Sequence, residues 1–275
     1  MLSILNNVSA LQANNALSMS QANLTKTLQQ LSSGQRINSG ADDAAGLAIA
    51  NGLQANVTAL TQSVQNASDG VGMLQVADGA LSQITTLLNR AVTLATESAT
   101  GTVSSQQRAS LDAEFTSIKT EIDTIGQKTT YNGAAVFSGT AITIFMSDSS
   151  TAGTTSVGVT MVTVDSGHLG AATLTADNLT GVASATTALT DINTAIADVA
   201  ALRGTLGASS NQLQAATNVM NNQITNVQNA ESGIMDANIG TTTANLSKYT
   251  ILDQTGIAAL QQSNQMSQSV LKLLQ

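Results

Sequence analysis

Leucine or alanine recurs at every seventh residue from Leu53 through Leu60, Ala67, Leu74, Leu81 and Leu88 to Ala95. A strand repeats every second residue, so a sustained seven-residue row describes one face of a single long helix that must pack lengthwise on another helix. Val57, Val64, Val71 and Val92 read as the companion row, interrupted by Asp78 and Thr85, where Ile84 and Ala91 widen the stripe. Asp69-Gly70 and Asp78-Gly79 look like turns in isolation, but a reversal would reset the heptad phase, which instead continues from Leu60 to Leu88. The helix is therefore expected to run through both. Each glycine costs about 1 kcal/mol relative to alanine there, and both are read as points of close approach.

A second row, Ile192, Val199, Leu206, Leu213, Met220, Val227 and Ile234, supplies the partner helix. Between the two, Leu111, Phe115, Ile118, Ile122 and Ile125 define one face of a shorter helix, opened by a capping box from Ser104 and Gln107. From 129 to 187 the pattern changes to Thr, Ser, Gly and Ala, with alternating Ile142/Ile144, Val157/Val159 and Val162/Val164 read as short strands, and Ser147 to Ser156 as a surface hairpin loop.

Both ends of the chain are helical in pattern. Ile4, Val8, Leu11, Leu17, Leu24, Leu28 and Leu31 form one stripe. Leu252, Ala259, Met266 and Leu273 form the other, broadened by Ile257, Leu260, Val270, Leu271 and Leu274 beyond what one partner helix covers. Burying one leucine is worth roughly 1.5–3 kcal/mol, so neighbouring copies of the chain are the expected cover. The expected fold is mainly α: long antiparallel coiled-coil helices, a small β-hairpin region, and termini paired as a helical coiled coil. Residues 1–42 and 235–275 are expected to form an inner core of terminal helices. Residues 43–234 are expected to form a helical shell, with 129–187 at its outer surface.

Only 9% of the residues are charged, against about 25% in ordinary domains, and the net charge is −8. No basic patch is available for a nucleic-acid partner. No cysteine is present, which removes disulfides and thiolate chemistry. No basic residue precedes Lys26, and Asn6 and Asn7 interrupt the first apolar run. Neither a cleavable signal peptide nor membrane insertion is expected.

The run LQQLSSGQRINSGADDAAGLA from Leu28 to Ala48 resembles the N-terminal signature of bacterial flagellins, as do Asn66 to Leu74 and Asp78-Gly79-Ala80-Leu81. ANLSKYTIL from Ala244 to Leu252, QSNQMSQSVLKLLQ from Gln262 to Gln275, and Leu202 to Leu213 resemble the family's C-terminal region. Together these cover roughly 1–137 and 185–275, in the family's order. The resemblance implies a non-enzymatic, cofactor-free extracellular subunit that polymerises with itself into the flagellar filament used for swimming. It would be a short form with little outer domain. It also implies an export apparatus and chaperone, and hook-associated junction and cap proteins, as partners. Subunit packing then falls to Ile4, Val8, Leu11, Leu24, Leu28, Leu31, Leu252, Leu260, Met266, Val270, Leu271 and Leu274. Positions matching an innate immune receptor surface are Arg90, Leu94 and Glu114; Val92 and Thr93 stand where stimulatory members carry Arg and Glu, so weak signalling is expected.

Other candidate sites read as structural. Asp42 and Asp43 precede a helix and are read as caps rather than metal ligands. His168, the single histidine, is followed by Leu169-Gly170, lacks a zinc-protease pattern, and is read as an exposed loop residue. Arg203 and Glu231 fall in the second heptad as register-setting polar groups, with a contact between subunits as the alternative. Two further readings stay open: a hook-filament junction protein, and an adhesin displayed on coiled coils.

Overall fold

A computed structural model describes residues 7–147, 156–170 and 174–273. Its elements are α1 (Val8–Ser33), α2 (Ala44–Ser98), α3 (Ser105–Lys128), β1 (Thr130–Tyr131), β2 (Ala134–Ala135), β3 (Ala141–Phe145), β4 (Ser156–Thr160), α4 (Val182–Met235) and α5 (Ile239–Leu273). None of the described helices is long and apolar enough to cross a membrane.

The chain divides into two compact units, one of residues 1–55 and 226–275 and the other of 56–225. The division between the two units falls within α2 and α4. The start of α2 and the end of α4 belong with the terminal helices, and there the Gln54 amide faces the Glu231 carboxylate, to both of whose oxygens it donates at 2.9 Å when its nitrogen is assigned to that side.

In the 56–225 unit, α2 runs unbroken through Asp69-Gly70 and Asp78-Gly79, as its phase requires. Leu60, Ala67, Leu74, Leu81, Leu88 and Ala95 are buried. The expected companion row holds only in part: Val57 is buried, as are Ile84 and Ala91, which were expected to widen the stripe. Val64, Val71 and Val92 lie half-buried on its shoulder, while Ser63, Ala77, Ile84, Ala91 and Ser98, one step nearer in sequence, are buried. Ser63 and Ser98 stand where the middle segment docks its backbone. Ser63 Oγ donates to the Ser147 carbonyl at 3.0 Å and Ser98 Oγ to that of Leu179 at 2.6 Å. A β-carbon on Gly70 would meet Ile144 Cδ1 at 2.3 Å and Leu213 Cδ1 at 3.3 Å, so Gly70 is a point of close approach. Gly79 is not, since nothing lies within 4 Å of its β-carbon position.

α4 supplies Ile192, Val199, Leu206, Leu213 and Met220 to the same core, and α3 supplies Phe115, Ile118 and Ile122. The capping box of α3 is complete, with Ser104 and Gln107 each bonding the other's backbone N–H. β1 and β2 are joined by Asn132 at φ 49° and Gly133 at φ 80°; a two-residue hairpin turn of type I′ needs positive φ at both positions, which Asn-Gly provides. β3 pairs antiparallel with β4, Ile142 opposite Val159 and Ile144 opposite Val157. Val162 and Val164, expected as a strand, lie outside any strand. The region 129–187 is not simply an outer surface. Met161, Val164, Leu169, Leu174 and Leu179 are buried in the core, at 0–2% exposure.

Candidate assembly interface

α1 and α5 lie antiparallel. Asn7 Nδ2 donates to the Ser263 carbonyl at 3.2 Å and to Ser267 Oγ at 2.6 Å, Ser263 Oγ returns a bond to Asn7 Oδ1 at 3.2 Å, and Ser20 Oγ reaches the Tyr249 carbonyl at 3.4 Å. Gly256 admits Leu17, whose Cδ1 lies 3.2 Å from the glycine's β-carbon position. The least exposed residues alternate by threes and fours: Ala13, Leu17, Ser20, Leu24, Thr27 and Leu31 on α1, and Thr242, Leu246, Tyr249, Asp253, Gly256, Leu260 and Ser263 on α5. This is coiled-coil spacing, yet about half of the seam is polar or glycine.

Other large apolar residues point elsewhere. Val8, Leu11 and Met19 share the face of α1 turned away from the seam, and Ile251 lies opposite the seam on α5, all at 58–68% exposure. Leu28, Leu252, Ile257 and Met266 are also exposed. Of the expected packing residues, Val8, Leu11, Leu28, Leu252 and Met266 are therefore uncovered, whereas Leu24, Leu31 and Leu260 are half-buried in the seam. Ile4 and Leu274 lie outside the described residues, and Val270 and Leu271 are described only as helix. Met19 and Ile251 went unnoticed in the sequence because they fall out of phase with the heptads. The signal that finds them is an apolar residue on the face opposite the seam.

These faces are unusually free of groups that resist burial. α1 carries Lys26 as its one charge, and α5 carries Lys248, Asp253 and Lys272. Many hydroxyls bond back to the carbonyl four residues earlier, among them Thr25 to Gln21, Thr243 to Ile239, Ser247 to Thr243, Thr250 to Leu246 and Ser269 to Gln265. A donor satisfied by its own helix loses little on leaving water.

α1 ends at Gly34, whose φ of 71° is left-handed. The next residues tie to the end of α4: Arg36 N donates to the Met235 carbonyl at 2.6 Å, Arg36 Nη2 to that of Ile234 at 2.7 Å, and Ala237 N to that of Gly34 at 2.9 Å. The two aspartates here part company. Asp43 caps α2 by accepting from Gly46 N at 2.8 Å. Asp42 instead folds the loop, accepting from the N–H groups of Asn38 and Ser39 and pairing with Lys26 at 2.7 Å. Lys26 and then Asn38 hold its carboxyl down at about 2.

The expected receptor surface is only partly a surface. Arg90 and Glu114 form an exposed ion pair at 2.7 Å, each favouring the other's charged form. Leu94 corrects the expectation: it is fully buried, because it stands beside the α2 heptad row and packs into the core. Arg203 pairs bidentately with Asp78, Nε to Oδ1 at 2.7 Å and Nη2 to Oδ2 at 3.2 Å. With Glu231 facing Gln54, both polar heptad residues have partners within the chain. His168 is exposed and pairs with Asp165 at 2.7 Å. The described residues contain no cluster of three metal-ligating side chains.

Known proteins share this pattern. The family model of the bacterial flagellin N-terminal helical region matches residues 4–142, and that of the C-terminal helical region matches 189–274. A flagellin of Xenorhabdus nematophila is 44% identical over 140 residues, which is 50% of this chain and 45% of that protein. A flagellin of Salmonella muenchen is 46% identical over 131 residues, 48% of this chain and 26% of that one. Polar flagellin F of Vibrio parahaemolyticus is 38% identical over 133 residues, 48% and 35% of the two chains. The aligned stretch thus spans less than half the length of each of these relatives. The crystal structure of Bacillus cereus flagellin superposes with a TM-score of 0.50 at 32% identity, covering 56% of this chain and 88% of that one. Matched at both its N-terminal and its C-terminal helical region, and in the family's order, the chain belongs to the bacterial flagellins.

Proposed function

We propose that the chain is the structural subunit of an extracellular flagellar filament, polymerising with copies of itself through the outer faces of α1 and α5 to make the propeller of swimming motility. One observation carries this reading: the α1–α5 pair gives about half of its own seam to polar residues and glycine while leaving large apolar residues on its outside. A pair built to stand alone in water would do the reverse. The low charge and the self-bonded hydroxyls agree, since both lower the cost of desolvation. The reading brings with it an export apparatus and chaperone, and junction and cap proteins, as partners. It leaves Arg90 and Glu114, without Leu94, as side chains an innate immune receptor would meet.

The test is negative-stain electron microscopy of seeded protein, comparing the unaltered chain with a Leu11→Asp, Ile251→Asp double variant. Both residues are exposed in the free subunit, so the variant is expected to fold. Burying two unpaired carboxylates between subunits is expected to stop filament growth. Filaments of normal yield from the variant would remove these faces from the interface, and persistent monomers of the unaltered chain would favour a junction protein.

A further inference from the structure

We infer that Met19 and Met266 are oxidation-sensitive assembly residues: hydroperoxides convert both thioethers to sulfoxides in the free subunit and so block polymerisation, whereas the polymer shields them. This rests on the filament reading above. Met73, Met146, Met161 and Met220 are 1–8% exposed, while Met19 and Met266 are 68% and 60% exposed. Met235 is half-buried, and Met1 lies outside the described residues. With no cysteine in the chain, these two open thioethers are, among the described residues, the sulfur atoms a peroxide meets first, and both sit on the helices that assemble.

The chemistry is a two-electron oxygen transfer. The thioether sulfur attacks one peroxide oxygen and the O–O bond breaks. Sulfur is oxidised to the sulfoxide, and the other oxygen leaves as water from hydrogen peroxide, or as an alcohol from an organic hydroperoxide, taking up the proton. The product is a strong acceptor on a formerly apolar side chain, and burial without a donor is unfavourable. Hydroxyls beside Met266 are already committed: Ser267 Oγ donates to the Ser263 carbonyl, Ser269 Oγ to that of Gln265, and Ser263 Oγ to Asn7. Because methionine sulfoxide is reducible enzymatically, the block is reversible.

The experiment treats purified subunit with hydrogen peroxide, maps sulfoxides by peptide mass spectrometry, and measures the critical concentration for seeded growth against each protein's own untreated control. Sulfoxide is expected at Met19 and Met266 before the four buried methionines. The critical concentration should rise at least about ten-fold, and methionine sulfoxide reductases should reverse the rise. A Met19→Leu, Met266→Leu variant is expected to give a treated-to-untreated ratio near one, and preformed filaments should keep both thioethers. Oxidised subunit that grows as its control does, a leucine variant as peroxide-sensitive as the original, or thioethers oxidised equally fast in filaments would each overturn the inference. Untreated protein that makes no filaments rejects the filament reading itself, and the inference with it.

Discussion

A β-carbon built on Gly126 would lie 1.7 Å from the carbonyl oxygen of Val164 and 2.9 Å from its carbon, whereas one built on Gly79 would meet nothing within 4 Å. Both glycines are inside helices, yet substitution has opposite signs. Gly126→Ala must push α3 away from a backbone that cannot yield locally, and a loss of about 2–3 kcal/mol is expected. Gly79→Ala relieves the helix of its most flexible residue in open space, and a gain of about 0.5–1 kcal/mol is expected. Denaturant melts of the two variants decide the point, and a shift of both midpoints in one direction would refute it. Sequence phase located these residues within helices, but not what stands opposite them. Gly79 was therefore expected at a close approach it does not make, and Leu94 was expected at a surface although its neighbours in the folded chain enclose it.

At the scale of elements, the long helices were legible because leucine at every seventh place is a strong signal. The companion row of α2 was legible only at Val57, Ile84 and Ala91; its remaining small residues carry no apolar signature, since Ser63 and Ser98 face backbone carbonyls and Gly70 faces Ile144. Met161, Val164, Leu169, Leu174 and Leu179 were missed as core for another reason, since their spacing follows neither a helix nor a strand period. Carboxylates strap their segment down instead. Asp112 accepts from Leu179 N at 2.7 Å and Asp123 from Ser166 N at 2.7 Å, both from α3, while Asp198 of α4 accepts from Gly170 N at 3.1 Å. Lys119 of α3 donates to the carbonyls of Thr175 and Asp177.

One member of this set is under stress. Burial first, and then the neighbouring charge and hydrogen bond of Asp191, raise Asp177 from 3.8 to about 6 against the weaker pull of Lys119. Between those two values the folded chain keeps a proton that the unfolded chain has released, so stability falls as pH rises from about 4 to 6 and the cost is fully present above 6. Asp177→Asn removes the ionisation. The variant is expected to be more stable than the original at pH 7–8 by about 1 kcal/mol, after discounting for the group's partial exposure, with the advantage fading toward pH 4. Thermal melts across that range provide the check, and an advantage that is constant with pH would show that ionisation is not its source.

The two compact units of the molecule differ in what holds them. In the 56–225 unit, leucine, isoleucine, valine, methionine and phenylalanine from three helices and the middle segment close one continuous core. Among the described residues of the other unit the buried side chains are few and partly polar: Ser20, Thr27 and Thr242 as well as Ile37 and Ala50. Its seam includes a carboxylate oxygen, Asp253 Oδ1, buried without a hydrogen-bond partner. The heptads announced helices in both units but not this inequality, because a stripe of leucine looks the same whether its own chain or another copy covers it. Local opening follows the density of buried apolar contacts. Limited proteolysis of the free subunit is therefore expected to cut α1 and α5 first and to leave a resistant fragment close to 56–225. On the proposed filament reading the same bonds should survive in seeded filaments, because neighbouring subunits would supply the apolar cover that the pair lacks. Mass analysis of timed digests distinguishes the cases: equal resistance of both units in the free chain would mean that the α1–α5 pair is stable by itself, and its exposed apolar faces would then need a different explanation.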